Sequence, residues 1–387
     1  MIRFLTAGES HGPCLVGILE GMPAGLAISE EEIAVDLHRR QLGYGRGQRM
    51  QIESDHARIL SGVRYGVTLG SPIALQIENK DWPNWTSQLR ADAPPPDERA
   101  APLTTPRPGH ADFAGAVKYH HADIRNVIER SSARETAMRV ALGAVCRKFF
   151  REVGVSVASH VVRIGRVASS MEVSGLSPDE INHRADESPV RCLDGEIARQ
   201  MMAVIDEAQA RGDTVGGTFE IVAWGLPVGL GSYVHYDRRL DAVLTAAMMS
   251  IPAVKAVTVG RDADDASRMG SEVHDRMYPA RGGVMRKTNR AGGIEGGMSN
   301  GEALIIRAAM KPLSTLGQPL ETVDLSTGKP AVALRERSDV CAVPAAAVVG
   351  EAMCLLALMN PFFEKFGGDS LLEIMNHLKE TPGSAWD

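Results

Sequence analysis

The stretch "SSARETAMRVALGAVCRKFFREVG", residues 131–154, carries the reading of the fold. Ser132 and Glu135 have the spacing of a capping box, and Ala133, Ala137, Val140, Ala144 and Val145 recur at helical intervals to give one apolar face. The residues on that face are small. An alanine-rich helix face can approach other backbone closely, so this helix is expected deep in the molecule.

Working outward, the flanking sequence is made of short apolar runs punctuated by glycine. "MIRFLTA" and "CLVGILEGMPAGL" read as strands, as do "SGVRYGVTLGSPIALQIEN" before the helix and "VSVASHVVRIG" after it. "DTVGGTFEIVAWGLP" reads as a strand pair. Ser29 and Glu32 cap an amphipathic helix over "EEEIAVDLHRR", and "LDGEIARQMMAVIDEAQARG", "RRLDAVLTAAMMSIP" and "VPAAAVVGEAMCLLALMNPFFEKF" are further helices. No GxGxxG turn opens a series of βαβ units, which argues against a doubly wound nucleotide fold. The expected class is α+β, with antiparallel sheets and interspersed helices. No break in composition divides residues 1–387, so a single large domain is expected. The polar, proline-rich stretch over 80–110 is too long for an ordinary connection and reads as an active-site lid.

The 387 residues are 44% apolar and 23% charged, the profile of a globular protein, and the net charge of -6 points away from nucleic acid. Any anion site must therefore be a local concentration of basic groups. The five cysteines are scattered without a CxxC pair, which favours free thiols in a reducing cytoplasm over a zinc site. The first apolar run breaks into glycine too early for a signal peptide, and no uninterrupted run has the length of a membrane span.

Four segments concentrate groups suited to chemistry. In "LHRRQLGYGRGQRM", Arg39, Arg40, Arg46 and Arg49 surround three glycines, and guanidinium suits bidentate capture of phosphate or carboxylate; a solvated basic loop is the plainer alternative. In "TPRPGHADFAGAVKYHHADIRNVIERSSARE", His110 follows a Pro-Gly turn beside Arg107, while Arg130, Ser131, Ser132 and Arg134 stand at the mouth of the small-residue helix. His120, His121 and Asp123 lack a common catalytic metal spacing and read as surface or supporting residues. "RGGVMRKTNRAGGIEGGMSNGEALIIRAAMKPLSTL" offers glycine-rich backbone followed by Lys311, Ser314 and Thr315, though without the Walker A order. In "LRERSDVCAVPA", Arg335, Arg337 and Asp339 alternate along one side of an extended segment. With "GESHGP" presenting His11 between glycines, the set indicates a deep site for a small, multiply anionic substrate. From the residues alone, the chemistry is that of a lyase or transferase acting on a phosphorylated carboxylate.

The segments "TAGESHG", "RRQLGYGRGQRM", "RPGHAD", "ERSSARETAMRVALGA", "AGGIEGGMSNGE", "RAAMKPLSTL" and "RERSDVCAVPAAAVVGEAM" together resemble the signature segments of the chorismate synthase family, in their usual order. The resemblance spans essentially the whole chain and thins at Ala256 and over Arg261 to Ala266. It implies a one-domain fold with helices packed between antiparallel sheets, a homotetramer, and anti 1,4-elimination of phosphate from 5-enolpyruvylshikimate 3-phosphate with reduced FMN and no net redox change. It further implies FMN contacts at Arg130, Ser131, Ser132, Ile251, Pro252, Gly296, Lys311, Pro312, Leu313, Ser314, Thr315 and Arg337. Substrate contacts are expected at Arg39, Arg46, Arg49, Arg107, Arg134 and Arg337. The same resemblance gives His11 the departing phosphate, His110 the reduced flavin, and Asp339 a proton relay from flavin N5. A separate flavin reductase is an implied partner, and an NAD(P)H-dependent flavin oxidoreductase or a metabolite-binding protein is the alternative.

Overall fold

A computed structural model describes residues 1–47, 53–95, 97, 99–173, 175–261, 266–280 and 283–380. Near the amino terminus, Arg3–Ala7, Cys14–Glu20, Ile73–Glu78 and Ala57–Ser61 form an antiparallel sheet in that spatial order. Alternation along these strands puts Leu15, Leu19, Ile73, Leu75, Ile77 and Ala57 on one buried face. That face lies against the helix Thr136–Glu152. A second antiparallel sheet runs Val254–Val259, Leu304–Met310, Gly217–Trp224, Ser156–Ile164 and Val167–Ala168. It packs on the 24-residue helix Val343–Phe366.

The two helices form the middle layer and touch at Gly143 and Ala352. A Cβ on Gly143 would stand 2.4 Å from that of Ala352, so the crossing is as close as backbones permit. The sandwich of helices between sheets is therefore as expected, but the small-residue helix differs in detail. Ala141, Leu142, Cys146, Phe149 and Phe150 are buried along with Val140, Ala144 and Val145, so the burial extends well beyond one face. Its expected capping box does not form. Ser132 instead caps a single 3-10 turn, Ala133–Glu135, and the Glu135 side chain is taken by Arg139 and Thr6. The Ser29 and Glu32 box forms as read.

"DTVGGTFEIVAWGLP" is one strand, not a pair. A Cβ at Gly217 would meet the Arg163 carbonyl oxygen at 2.1 Å, so the glycine admits a neighbouring strand where the sequence predicts a hairpin turn. Helix Pro178–Glu187, capped by Ser177 and Glu180, has no counterpart among the expected helices. It lays Ile181 on the outer face of the second sheet, against Ala158, Val222 and Ile305.

Helix Val343–Phe366 has the length and hydropathy of a membrane span, yet 89% of its most apolar window is enclosed by the protein. It also carries Glu351, fully buried. Arg39, Arg147 and Arg191 surround that carboxylate, and Ser159 donates to it. Burial by itself would raise the Glu351 carboxyl, but Arg39 and Arg147 outweigh it and hold it at about 2. Asp36 and Asp186 complete the network, so charge is balanced inside the layer.

Candidate active site

The turn after the first strand, the end of the first long helix, the residues before Thr136 and the segments around 110, 311 and 337 converge on a cavity of about 490 Å³. His11, His110 and Asp339 all line it, as do Arg46, Arg107, Arg134 and Arg337. Lys311, Leu313, Ser314, Thr315, Ser131, Ser132 and Pro252 contribute further wall. Residues far apart in the sequence are thus brought together.

His11 is held by Glu129, whose carboxylate accepts from the His11 backbone N–H at 2.8 Å and lies 3.0 Å from ring Nδ1. Trp85 stacks on the imidazole with ring centroids 4.0 Å apart. The glycines of "GESHGP" let the turn close tightly enough for Ser10 N–H to donate to the Glu129 carbonyl as well. His110 Nδ1 lies 2.5 Å from Asp112 Oδ1, and Asp112 also accepts from Arg107 Nε at 2.8 Å. Although burial opposes it, His110 and Arg107 hold the Asp112 carboxyl far below the usual range. Asp339 accepts from the Gly47 backbone N–H at 2.6 Å and faces Arg46 at 3.3 Å.

Arg40 lines the cavity beside Arg46 and Arg134. Burial, with those two guanidinium groups adding to it, pulls Arg40 down to about 10. Among the described residues its Nη1 has no hydrogen-bond acceptor and stands 3.6 Å from Asp55, while Nη2 of Arg134 also lacks one and stands 3.5 Å from Glu53. Buried donors left without acceptors cost free energy unless a ligand supplies them. An anion in the cavity would do so and would also relieve the repulsion among the three arginines.

Several expected residues are elsewhere. Arg39 is a correction: its guanidinium is spent on Glu351, Asp36 and Asp186 because one step along the helix turns it away from the cavity. Arg130 points back to the first strand, donating to the Thr6 carbonyl at 2.7 Å. Ile251 is buried in the core and Pro312 is absent from the cavity wall. Gly296 sits in the hairpin Ile294–Glu295 and Met298–Ser299, also away from the wall, and Arg49 lies outside the described residues. Conversely, sequence reasoning leaves Asp112, Glu129 and Trp85 without an assigned role in the site, and Arg40, read as part of the basic cluster, is missing from the contacts the resemblance implies. Arg40 has a signal, since it continues the Ile33 and Leu37 stripe of its helix. Among the described residues no group of three or more metal-binding side chains occurs.

Fixed guanidinium groups, two histidines each seated on a carboxylate, and an apolar wall define an enzyme site for a small polyanion. The family model for chorismate synthase matches residues 2–363. The chain is 53% identical over 385 residues to the chorismate synthase of Acidothermus cellulolyticus, covering 98% of each protein. It is 54% identical over 382 residues to that of Geobacter metallireducens, covering 97% of this chain and 96% of the relative. A crystal structure of a chorismate synthase matches with a TM-score of 0.78 at 40% identity, over 98% of this chain and 96% of that one. The chain belongs to the chorismate synthase family.

Proposed function

We propose that this cavity carries out the family's reaction, anti 1,4-elimination of phosphate from 5-enolpyruvylshikimate 3-phosphate to give chorismate. The observation that carries the reading is the convergence of Arg40, Arg46, Arg107, Arg134 and Arg337 around His11 and His110 in one cavity. The substrate's two carboxylates and phosphate match that many fixed cations. When the C–O bond breaks, its electron pair leaves with the phosphate oxygen, and negative charge grows where preorganised guanidinium groups can stabilise it. His11 gives a proton to that oxygen. His110, seated on Asp112 beside Lys311 and Thr315, faces the cofactor region, and Asp339 is the carboxylate that takes up a proton there.

The residues present fit a flavin mononucleotide. Ser131, Ser132, Lys311, Ser314 and Thr315 supply donors for its phosphate and ring edge, while Ile128, Pro252, Ala253, Leu313 and Ala342 give an apolar wall. Reduced FMN supplies transient electron donation to the substrate with no net redox change. The assembly that goes with this reading is the family's homotetramer, and Gly296, exposed in a hairpin away from the cavity, is free to meet a neighbouring subunit there. With all five cysteines free, the protein works in the reducing cytoplasm, and a separate flavin reductase provides reduced FMN.

Anaerobic turnover with chemically reduced FMN and no nicotinamide tests this reading. Chorismate and phosphate should appear in equal amounts. An NAD(P)H-dependent flavin oxidoreductase would stall without its electron donor, and a metabolite-binding protein would form no product.

A further inference from the structure

We infer that Glu129 is the positioning residue of His11, fixing the imidazole so that Nδ1 carries a proton and Nε2 is the nitrogen that exchanges one with the substrate. This rests on the reading of His11 as the proton donor to the departing phosphate. The geometry is specific. Both Glu129 oxygens lie near ring Nδ1, at 3.0 and 3.1 Å, and one of them also accepts from the His11 backbone N–H. The Glu129 carbonyl takes the Ser10 N–H as well, so one helical residue grips the turn at two successive amides and at the ring.

An ionised carboxylate only accepts hydrogen bonds, so the nitrogen facing it must be the donor. Burial would favour protonated Glu129, but hydrogen bonds from His11 and the charge of Arg125 reverse this and keep its carboxyl below the usual range. Arg125 is itself anchored 2.7 Å from Glu336, a residue of the cavity wall. Trp85 then covers one face of the imidazole at 4.0 Å. The ring is constrained in its plane by Glu129 and across its plane by Trp85. A proton passed from this ring into the cavity therefore leaves the imidazolium from Nε2 and goes to the oxygen that receives the C–O electron pair, so that the ring becomes neutral with its remaining proton on Nδ1 and Glu129 stays ionised throughout. A serine or glycine turn alone could present a histidine but could not choose its tautomer.

The test uses the full-length enzyme with reduced FMN under anaerobic conditions. In histidine-labelled protein, the ring nitrogen shifts of His11, assigned by comparison with His11→Asn, should show Nδ1 protonated near neutral pH. Glu129→Gln, whose amide can donate as well as accept, should lose that single-tautomer signature. Its kcat should fall at least tenfold while KM stays within about threefold, a split that general loosening of the fold would not give. The double variant Glu129→Gln, His11→Ala should be no slower than His11→Ala. Wild-type kcat in Glu129→Gln beside an impaired His11→Ala would overturn the inference and leave the role of His11 standing. So would a wild-type His11 protonated only at Nε2, a readout that remains valid if the Gln variant does not fold. Wild-type kcat in His11→Ala would instead remove the underlying reading of His11, and this inference with it.

Discussion

Arg337 Nη2 lies 2.7 Å from Asp81 Oδ2, so the last wall of the cavity is fastened to the loop that follows the first sheet. The same Asp81 side chain accepts from Trp85 Nε1 at 3.2 Å, and Trp85 covers His11. One carboxylate thus links Arg337 to the residue stacked on His11.

Asp81→Asn should loosen the hold of this loop on Arg337 and Trp85 without unfolding the protein. Arg337 is 47% exposed at its side chain, so solvent limits the pair to about 1 kcal/mol, and substrate KM should rise by no more than about fivefold. Cleavage by a protease within 80–110 should quicken in the free enzyme and slow again with substrate. Equal cleavage of variant and wild type would reduce the contact to an ordinary surface ion pair.

Asp112 orients two cavity residues at once, accepting from Arg107 and pairing with His110. Hydrogen bonds to charged groups are worth about 1.5–3 kcal/mol, so Asp112→Asn should lower kcat by roughly 10- to 100-fold. The expected companion is weaker substrate binding, because Arg107 loses its anchor. Single-turnover rates and substrate titrations separate the two effects; a stable variant with both unchanged would show that the trio needs no carboxylate.

Acid should weaken the middle layer. The Glu351 carboxyl has an ordinary value of 4.5 and is held at about 2 in the fold, so it binds a proton more readily when the chain is unfolded. Its contribution is fully present above 4.5 and drains away as pH falls from there towards 2. Urea midpoints measured between about pH 7 and pH 3 should hold steady and then decline below roughly 4.5. In Glu351→Gln, already weakened at neutral pH, that part of the decline should be missing.

Much of this was legible because local pattern and tertiary role agreed. The Ser29 and Glu32 cap and the span Val343–Phe366 carry local signals strong enough to read, whereas the roles of His11, His110 and Asp339 come from the family resemblance. What was not legible depends on partners distant in sequence. "DTVGGTFEIVAWGLP" reads as a strand pair until Arg163 is laid beside Gly217, and Glu129 has no reading until the turn at His11 folds onto it. The Ser132 and Glu135 pair has the spacing of a cap, but Thr6 and Arg139 compete for the glutamate and win. The resemblance puts Arg39 against the substrate, but Arg39 faces the core and the adjacent Arg40 lines the cavity.

Arg39 and Arg40 provide the sharpest separation of structure from function. Arg39 is bound to Glu351, Asp36 and Asp186, all within the folded layer, whereas Arg40 lines the cavity with one buried nitrogen lacking an acceptor among the described residues. Lysine keeps the charge but cannot reproduce the planar fork of guanidinium. Arg39→Lys should therefore destabilise the protein by up to about 3–5 kcal/mol, the range for breaking a buried pair, while any folded fraction binds substrate normally. Arg40→Lys should lower the urea midpoint less than Arg39→Lys does, since it gives up bonds to Thr136 and the Ala133 carbonyl and not a buried ion-pair network. Its substrate affinity should drop about 10- to 100-fold, the size of one lost charge-assisted contact. Urea unfolding and calorimetric titration on the two variants give four numbers. If stability falls with Arg40 and affinity with Arg39, the placement of the two side chains is reversed, and the cavity described above is not where the polyanion binds.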